Sequence, residues 1–240
     1  MSFKYRVYRL SHEADELSPE TIGKFASLRL RALRDVPDRL DGYETHLTFG
    51  ETEWLALLTN RIRHNFICVA YPMDTEATSL HSGTWVGMIT LLGPLSDSIY
   101  SFTRNKDDLV SGPNTTSTLW HGMGLYLLPE HRGTEAVNAI RDTLLYFLRS
   151  YTEEYHEAGE VDSMCKRFQL RGFVKPGMEM LTNFYKSSGA REVAHIPREE
   201  AHRLNEKMGL VELVSHEAED EFVEEDDEEP YVVVEMRGEC

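Results

Sequence analysis

The feature that most restricts the fold is GLYLLPEHRGTEAVNAIRD at 124–142, where an apolar strand turns sharply into a helix. The turn carries Arg132 and Gly133, and the following helix, 134–157, is the longest that the sequence predicts. A helix N-terminus has unpaired N–H groups and a partial positive charge, and glycine lets the backbone approach an anion. The turn therefore has the chemistry of a phosphate-binding loop, although Glu135 places an acid inside it.

Apolar periodicity on both sides of this turn predicts alternating strands and helices. Strands are predicted at 3–10, 65–72, 84–94, 117–129, 165–174, 191–197 and 231–238. Helices are predicted from 19 to just before Pro37 and at 51–63, 134–157, 178–185 and 198–212, with a loop at 96–117. This order predicts an α/β (α+β) fold in one domain, 1–240, with a mixed, mostly antiparallel sheet of six to seven strands and helices on both faces.

The acidity of the chain is concentrated in one segment. The net charge is −16, and residues 217–229 hold ten acids and no base, so the rest carries about −6. This composition predicts a mobile surface insertion at 215–229, with docking of a basic partner as the alternative. A chain without clustered Lys and Arg is not expected to bind nucleic acid.

The sequence also predicts the compartment. Cys68, Cys165 and Cys240 are widely spaced and odd in number, so neither a disulfide framework nor a CxxC metal site is expected. There is no apolar run of membrane-spanning length, and the start MSFKYRVYRL does not resemble a signal peptide. A cytoplasmic protein with no membrane partner is expected, and the sequence leaves open whether it forms a homodimer.

The unit LYLLPEHRG, together with ASLRLRAL, WVGMITL, LRGFVKP and NFYKSSGA, resembles the GNAT superfamily of N-acetyltransferases. The resemblance spans nearly the whole chain. It implies a GNAT-like sheet, acetyl-CoA as co-substrate, and acetyl transfer to a small-molecule amine by direct attack in a ternary complex. It also implies that the strands 117–129 and 165–174 splay apart, and that the amide of Leu127 or Leu128 binds the acetyl carbonyl.

By the resemblance, the turn binds the CoA diphosphate through the residues that follow the strand. These residues are Arg132, Gly133, Thr134, Glu135, Ala136 and Val137. The family keeps small residues where this chain has Glu135 and Val137. In one interpretation Thr134 caps the helix and Glu135 interacts with the helix dipole in the place of CoA. In the other, Glu135 points to solvent and the amides still bind phosphate.

Two residues are candidates for the chemistry. The family's proton donor, a tyrosine on the short helix, falls on Tyr185, although Tyr185 also continues an apolar stripe and could only pack. A family general-base position falls on His121, which could accept a proton near neutral pH or could be a core residue. Glu130 and His131 are expected to serve the structure of the loop.

Two further positions depart from the family pattern. Met178 stands where the family commonly has an asparagine that bonds the cofactor arm, and Gly189-Ala190 replaces a Gly-Phe pair. The chain is therefore identified as a divergent member of the superfamily with a degenerate diphosphate turn.

Three functions follow from these features. The first is an N-acyltransferase with an acceptor pocket that includes Tyr43, Trp54 and the loop 96–117. The second is a non-catalytic binding module on the same fold. The third is an enzyme that works without CoA and uses His121 and Tyr185 as acid and base.

Overall fold

The computed structural model describes residues 2–35, 43–101, 103–105, 108–109, 117–157, 167–208 and 230–239. The acidic insertion predicted at 215–229 lies outside these ranges, as do parts of the predicted loop at 96–117. Within the described ranges, no helix is both long enough and apolar enough to cross a membrane.

Seven strands form one mixed sheet, which confirms the predicted fold class. The strands in the described ranges are β1 (Phe3–Arg9), β2 (Arg63–Pro72), β3 (Thr84–Leu92), β4 (Thr103–Asn105), β5 (Asp108–Leu109), β6 (Ser117–Leu127), β7 (Arg167–Val174), β8 (Arg191–Ile196) and β9 (Tyr231–Glu239). The order across the large sheet is β1-β2-β3-β6-β7-β9-β8, and β4 pairs with β5 separately. Within the large sheet only β6 and β7 run parallel; the other neighbours are antiparallel.

Helices cover both faces of the sheet, as predicted. They are α1 (Pro19–Asp35), α2 (Tyr43–Leu47), α3 (Glu51–Thr59), α4 (Asp97–Tyr100), α5 (Glu135–Glu157), α6 (Glu179–Ser187) and α7 (Arg198–Lys207). On one face the Phe147 ring of α5 lies 5.7 Å from the Trp120 ring of β6, measured between centroids. On the other face the Tyr126 hydroxyl of β6 donates a hydrogen bond to the Asp35 carboxylate of α1.

The long helix α5 makes the parallel pairing of β6 and β7 possible. Parallel neighbours cannot be joined by a tight hairpin, so the chain must return along one face of the sheet. An apolar stripe along α5 supports this return, because Ile140, Leu144 and Leu148 are buried. Burying such side chains stabilises the fold by about 1.5–3 kcal/mol each.

Some boundaries differ from the prediction. The helix predicted at 51–63 ends at Thr59, because Asn60 is extended and its side-chain oxygen accepts a hydrogen bond from the Ile62 amide. Strand β2 then begins at Arg63. The prediction of a continuous loop at 96–117 was wrong, since α4, β4, β5 and the first residue of β6 lie there. Of the helix predicted at 198–212, the structure describes Arg198–Lys207.

Candidate functional site

A gap opens between β6 and β7. The two strands pair from Ser117 and Arg167 up to Gly122 and Gly172, after which no further pairs form. Strand β6 nevertheless continues to Leu127 and β7 to Val174. The backbone edges of these strand ends are therefore not paired with each other, and the splay that the resemblance implied is present.

A β-bulge in β6 accompanies the start of this gap. Between the β3 residues Met88 and Thr90 the pairing moves from Tyr126 to Met123, so β6 contains one extra residue there. Gly124 lies in this segment with a φ of 64°, which favours glycine. A bulge bends the strand and increases its local twist. We infer that this bend directs the end of β6, from Gly124 to Leu127, away from β7.

Tyr185 occupies the closed end of the gap. Its side chain is only 3% exposed, and its hydroxyl donates to the Gly122 carbonyl at 3.3 Å. A Cβ at Gly122 would lie 2.8 Å from the hydroxyl oxygen, and a Cβ at Gly172 would overlap both the oxygen and the ring. The last paired rung is thus made of two glycines because the phenol needs their space. Burial raises the pKa of Tyr185, so the phenol keeps its proton at neutral pH.

The turn before α5 presents three consecutive backbone amides. A short 3₁₀ turn at Pro129–His131 follows β6, and Gly133 then adopts a φ of 71°. Among the described residues, no protein acceptor is found for the amides of Gly133, Thr134 or Glu135. Successive amides in such a turn at a helix N-terminus form an anion-binding concavity.

Two side chains hold this turn in place. The Thr134 hydroxyl donates to the His131 carbonyl at 2.7 Å and accepts from the Ala136 amide at 3.3 Å, so Thr134 caps α5. The buried His131 ring shares a 3.0 Å hydrogen bond with the Tyr5 hydroxyl of β1. His131 therefore ties the turn to the edge of the sheet, in keeping with the structural role predicted for it.

Glu135 does not fill the anion site. Its side chain is exposed, and its carboxylate accepts a 3.0 Å hydrogen bond from the Asn138 side chain on the same helix. Both interpretations of the turn hold in part, because Thr134 caps the helix while Glu135 points away from the amides. The carboxylate still adds negative charge close to any anion that binds there.

A groove of about 500 Å³ runs from the turn along α6. Its walls are the start of α5 and the exposed side of α6. The lining residues are Arg132, Gly133, Thr134, Val137, Asn138, Glu179, Met180, Asn183, Phe184 and Ser187. The groove therefore joins the unpaired amides to Phe184, the residue next to Tyr185 in the chain. Val137 forms part of the wall and leaves the groove open.

The two candidate amides for the acyl carbonyl differ. The Leu128 amide donates to the Val86 carbonyl of β3 at 2.8 Å, so it is not available for a ligand. Because successive amides of a strand point to opposite edges, the Leu127 amide is directed towards the gap. The Leu127 carbonyl, which shares that edge, accepts a 3.0 Å hydrogen bond from Arg132 Nε. Of the two, only Leu127 stays a candidate.

His121 does not share a site with Tyr185. Tyr185 lies over the side of the sheet to which a Cβ of Gly122 would point, and neighbouring strand residues face opposite sides. His121 is 2% exposed, and its Nδ1 accepts a 3.4 Å hydrogen bond from Arg171 Nε. Burial, and then the charge of Arg171, hold the pKa of His121 well below its usual range. The prediction of a joint acid–base pair was therefore wrong in its geometry.

Several residues of the site escaped the sequence analysis. Asn183 and Asn138 are two of the polar side chains that line the groove, and Gly172 makes room for Tyr185. A signal for Gly172 exists in the apolar strand LRGFV, where an internal glycine indicates close approach of another group.

Of the two residues predicted for the acceptor pocket, the side chain of Tyr43 lies outside the described part of the molecule. Trp54 is buried in the core against Phe25, so it does not line an open pocket. Within the described ranges, no group of three or more His, Cys, Asp or Glu could hold a metal ion.

No protein-family model matches the chain, and no curated protein matches it significantly. Among solved structures it is similar to yncA of Salmonella typhimurium with acetyl-CoA, at 11% identity over 98% of this chain and 94% of that chain, with a TM-score of 0.49. It is similar to NAA60 of Arabidopsis thaliana with acetyl-CoA, at 11% identity over 98% of both chains and a TM-score of 0.48. It is also similar to spermidine N-acetyltransferase of Vibrio cholerae with CoA and spermine, at 9% identity over 97% and 95% and a TM-score of 0.46. At such low identity these similarities decide nothing about activity, which rests on the geometry of the gap and groove.

Proposed function

We propose that this chain is a GNAT-type N-acyltransferase that takes its acyl group from acetyl-CoA and transfers it to a small-molecule amine. The observation that carries the proposal is the set of three amides at Gly133, Thr134 and Glu135, for which the described residues provide no acceptor and which open into a groove that reaches Phe184, the residue before Tyr185. The anion site follows β6, and the gap lies beside the same strand, so the two together suit a ligand with a diphosphate at one end and a reactive group at the other.

The dimensions favour a donor with a long arm. Tyr185 lies at the level of Gly122, five residues before Leu127, where β6 approaches the turn. At about 3.3 Å per residue this separation is roughly 16 Å along the strand. A nucleotide that binds at the turn and has no arm would not reach the phenol. Acyl-CoA, whose thioester is separated from its diphosphate by the pantetheine arm, has the required shape.

The same distance refines the predicted roles. A carbonyl held at the Leu127 amide would lie too far from Tyr185 for the phenol to serve the same thioester. We therefore place the thioester near the bulge at Gly124, and we assign Leu127 to the arm. A neutral amine attacks the thioester carbonyl, the new C–N bond forms, and the C–S bond breaks. Tyr185 then donates its proton to the departing thiolate, and the proton that the attacking nitrogen loses restores the phenol, so the products are the amide and free CoA thiol.

A second candidate function is binding of acyl-CoA without catalysis. The observation that favours it is the complete burial of the Tyr185 hydroxyl, which already donates to the Gly122 carbonyl. The hydrogen bond from the phenol to that carbonyl would have to break before the proton could pass to the thiolate. The third predicted function, an enzyme without CoA that uses His121 and Tyr185 together, is not proposed, because the two side chains face opposite sides of the sheet.

Titration calorimetry with acetyl-CoA tests the anion site. We expect Glu135→Gln to bind acetyl-CoA about three- to tenfold more tightly than the natural chain, because one negative charge beside the diphosphate is removed. Glu153→Gln is the matched control, since Glu153 is exposed on the same helix near its other end. Equal affinity in both variants would show that the diphosphate does not sit at the turn.

Release of free thiol from acetyl-CoA with a panel of small amines tests the chemistry. Tyr185→Phe keeps the ring and removes the proton donor, so the rate should fall by about 10²–10⁴-fold while the affinity for acetyl-CoA changes little. Binding without turnover by the natural chain would leave the non-catalytic function. Failure to bind acetyl-CoA at all would contradict both.

A further inference from the structure

The face of the sheet opposite Tyr185 carries a row of polar side chains behind the end of the gap. His121 of β6 pairs directly with Arg171 of β7, and Arg171 pairs directly with Glu235 of β9. Residues that pair directly lie on the same face of a sheet. The His121–Arg171 rung is the one immediately before the final rung of Gly122 and Gly172.

The Arg171 side chain is completely buried among described residues. It is 0% exposed, and its guanidinium donates to the Tyr100 carbonyl, to Met208 Sδ at 3.8 Å, and to His121 Nδ1 at 3.4 Å. The guanidinium also lies over the rings of Tyr100, at 4.7 Å, and Phe173, at 5.1 Å. Burial lowers the pKa of Arg171 to about 10, so it stays charged at neutral pH.

The charge of Arg171 is balanced on its other side. The Tyr100 hydroxyl donates to the Glu235 carboxylate at 3.0 Å, and Arg237 Nε donates to the same carboxylate at 2.8 Å. Among the described groups, the titratable and charged ones that face this cluster are therefore Tyr100, Glu235 and Arg237 in addition to His121 and Arg171. Protonation of His121 would place a second buried cation against Arg171, which the low dielectric makes unfavourable.

We propose that His121 and Arg171 form a clasp that holds β6 and β7 together at the last side-chain rung and so fixes the width of the gap. His121 acts in this clasp as a hydrogen-bond acceptor that positions Arg171, and it is not a proton acceptor for the substrate. On the opposite face, the Tyr185 phenol packs against Gly122 and Gly172 of the same two strands. The clasp therefore holds the strands together at the level where the phenol occupies space between them. Its effect on acyl transfer rests on the function proposed above, whereas its effect on the strands does not.

Hydrogen exchange of the paired β6 and β7 amides tests the clasp without any ligand. His121→Leu removes the acceptor, and the amides around Gly122 and Gly172 should exchange about tenfold or more faster through local opening. His121→Asn places an oxygen close to the Nδ1 position and should stay within about twofold of the natural chain. Ile67→Ala, a fully buried change in β2, is the control, because β2 is not a neighbour of β6 or β7 and the change should lower global stability without selective opening at this rung.

Two further measurements complete the test. Arg171→Met removes the donor and its buried charge with a side chain of similar length, and should open the same amides even if His121→Leu does not fold. Affinity for acetyl-CoA should fall about tenfold in His121→Leu and be restored in His121→Asn. If the natural chain does not bind acetyl-CoA, the proposed function fails, while the exchange rates still decide on the clasp.

Two results would overturn the proposal. The first is unchanged exchange at Gly122 and Gly172 in both His121→Leu and Arg171→Met. The second is an acidic limb in the pH–rate profile near the usual histidine value, about 6.5, that disappears in His121→Asn, because a proton acceptor would produce it.

Discussion

At the scale of single residues, the site depends on one side chain of α6 that fills the space left by two glycines, one in β6 and one in β7. The phenol of Tyr185 fits only because the rung it faces has no side chains. The residue proposed to donate the proton is thus also the residue that marks where the strands separate. A substitution at this rung should change stability and the gap together, because interiors are close-packed.

The contact between Gly122 and the Tyr185 hydroxyl predicts a coupled pair. Gly122→Ala should lower the free energy of unfolding by about 1–3 kcal/mol through overpacking. In a Tyr185→Phe background the same change should cost less than about 0.5 kcal/mol, because the next atom is then Leu170 Cδ1 at 3.5 Å. Urea unfolding of the four chains measures the coupling. Gly172→Ala is the control, and it should stay costly in both backgrounds since it also meets the ring.

At the scale of secondary-structure elements, the turn before α5 has two tasks. It begins α5, and among the described residues three of its amides have no acceptor. The Thr134 hydroxyl satisfies the Ala136 amide deeper in the helix, so the amides at the tip remain for an external anion. The capping side chain and the anion site therefore use different amides, and one does not exclude the other.

This division of the amides predicts the effect of removing the cap. Thr134→Ala should destabilise the chain by about 1 kcal/mol, because the Ala136 amide and the His131 carbonyl both lose a partner. Thr134→Ser keeps the hydroxyl and should unfold at nearly the same denaturant concentration as the natural chain. A serine variant as unstable as the alanine variant would mean that the threonine methyl group, not the cap, matters.

At the scale of the whole molecule, acid stability should depend on an enclosed histidine of β2. His64 is 3% exposed among the rings of Trp120, Phe147 and Tyr151, and its Nε2 contacts the Gly93 carbonyl at 3.1 Å. Burial, and then the neighbouring His12, lower the pKa of His64 from 6.5 to about 4. The folded chain therefore keeps this ring neutral under conditions in which the unfolded chain binds a proton.

The expected loss of stability follows from that difference. Above pH 6.5 neither state is protonated at His64; between pH 6.5 and about 4 the unfolded state binds the proton, so stability falls as the pH falls. The loss from this group should reach about 3 kcal/mol. His64→Gln should lack this part of the acid dependence in urea unfolding at several pH values. His195→Gln, at an exposed position, should keep it.

The sequence by itself determined the local features of this protein. The alternation of strands and helices, the buried stripe of α5 and the cap at Thr134 all follow from neighbours a few residues apart. The chemistry of the turn is equally local, because φ at Gly133 and the free amides of a helix start do not depend on distant residues. These features place the anion site and the order of the elements.

Only the tertiary structure decided how the pieces of the site meet. The pairing of Gly122 with Gly172, the bulge at Gly124 and the separation of His121 from Tyr185 depend on the register between strands that are far apart in sequence. A shift of one residue exchanges the two faces of a strand, and no local pattern records it. The tyrosine and the histidine were therefore visible in the sequence, whereas the sheet face that each one serves was fixed only by the packing.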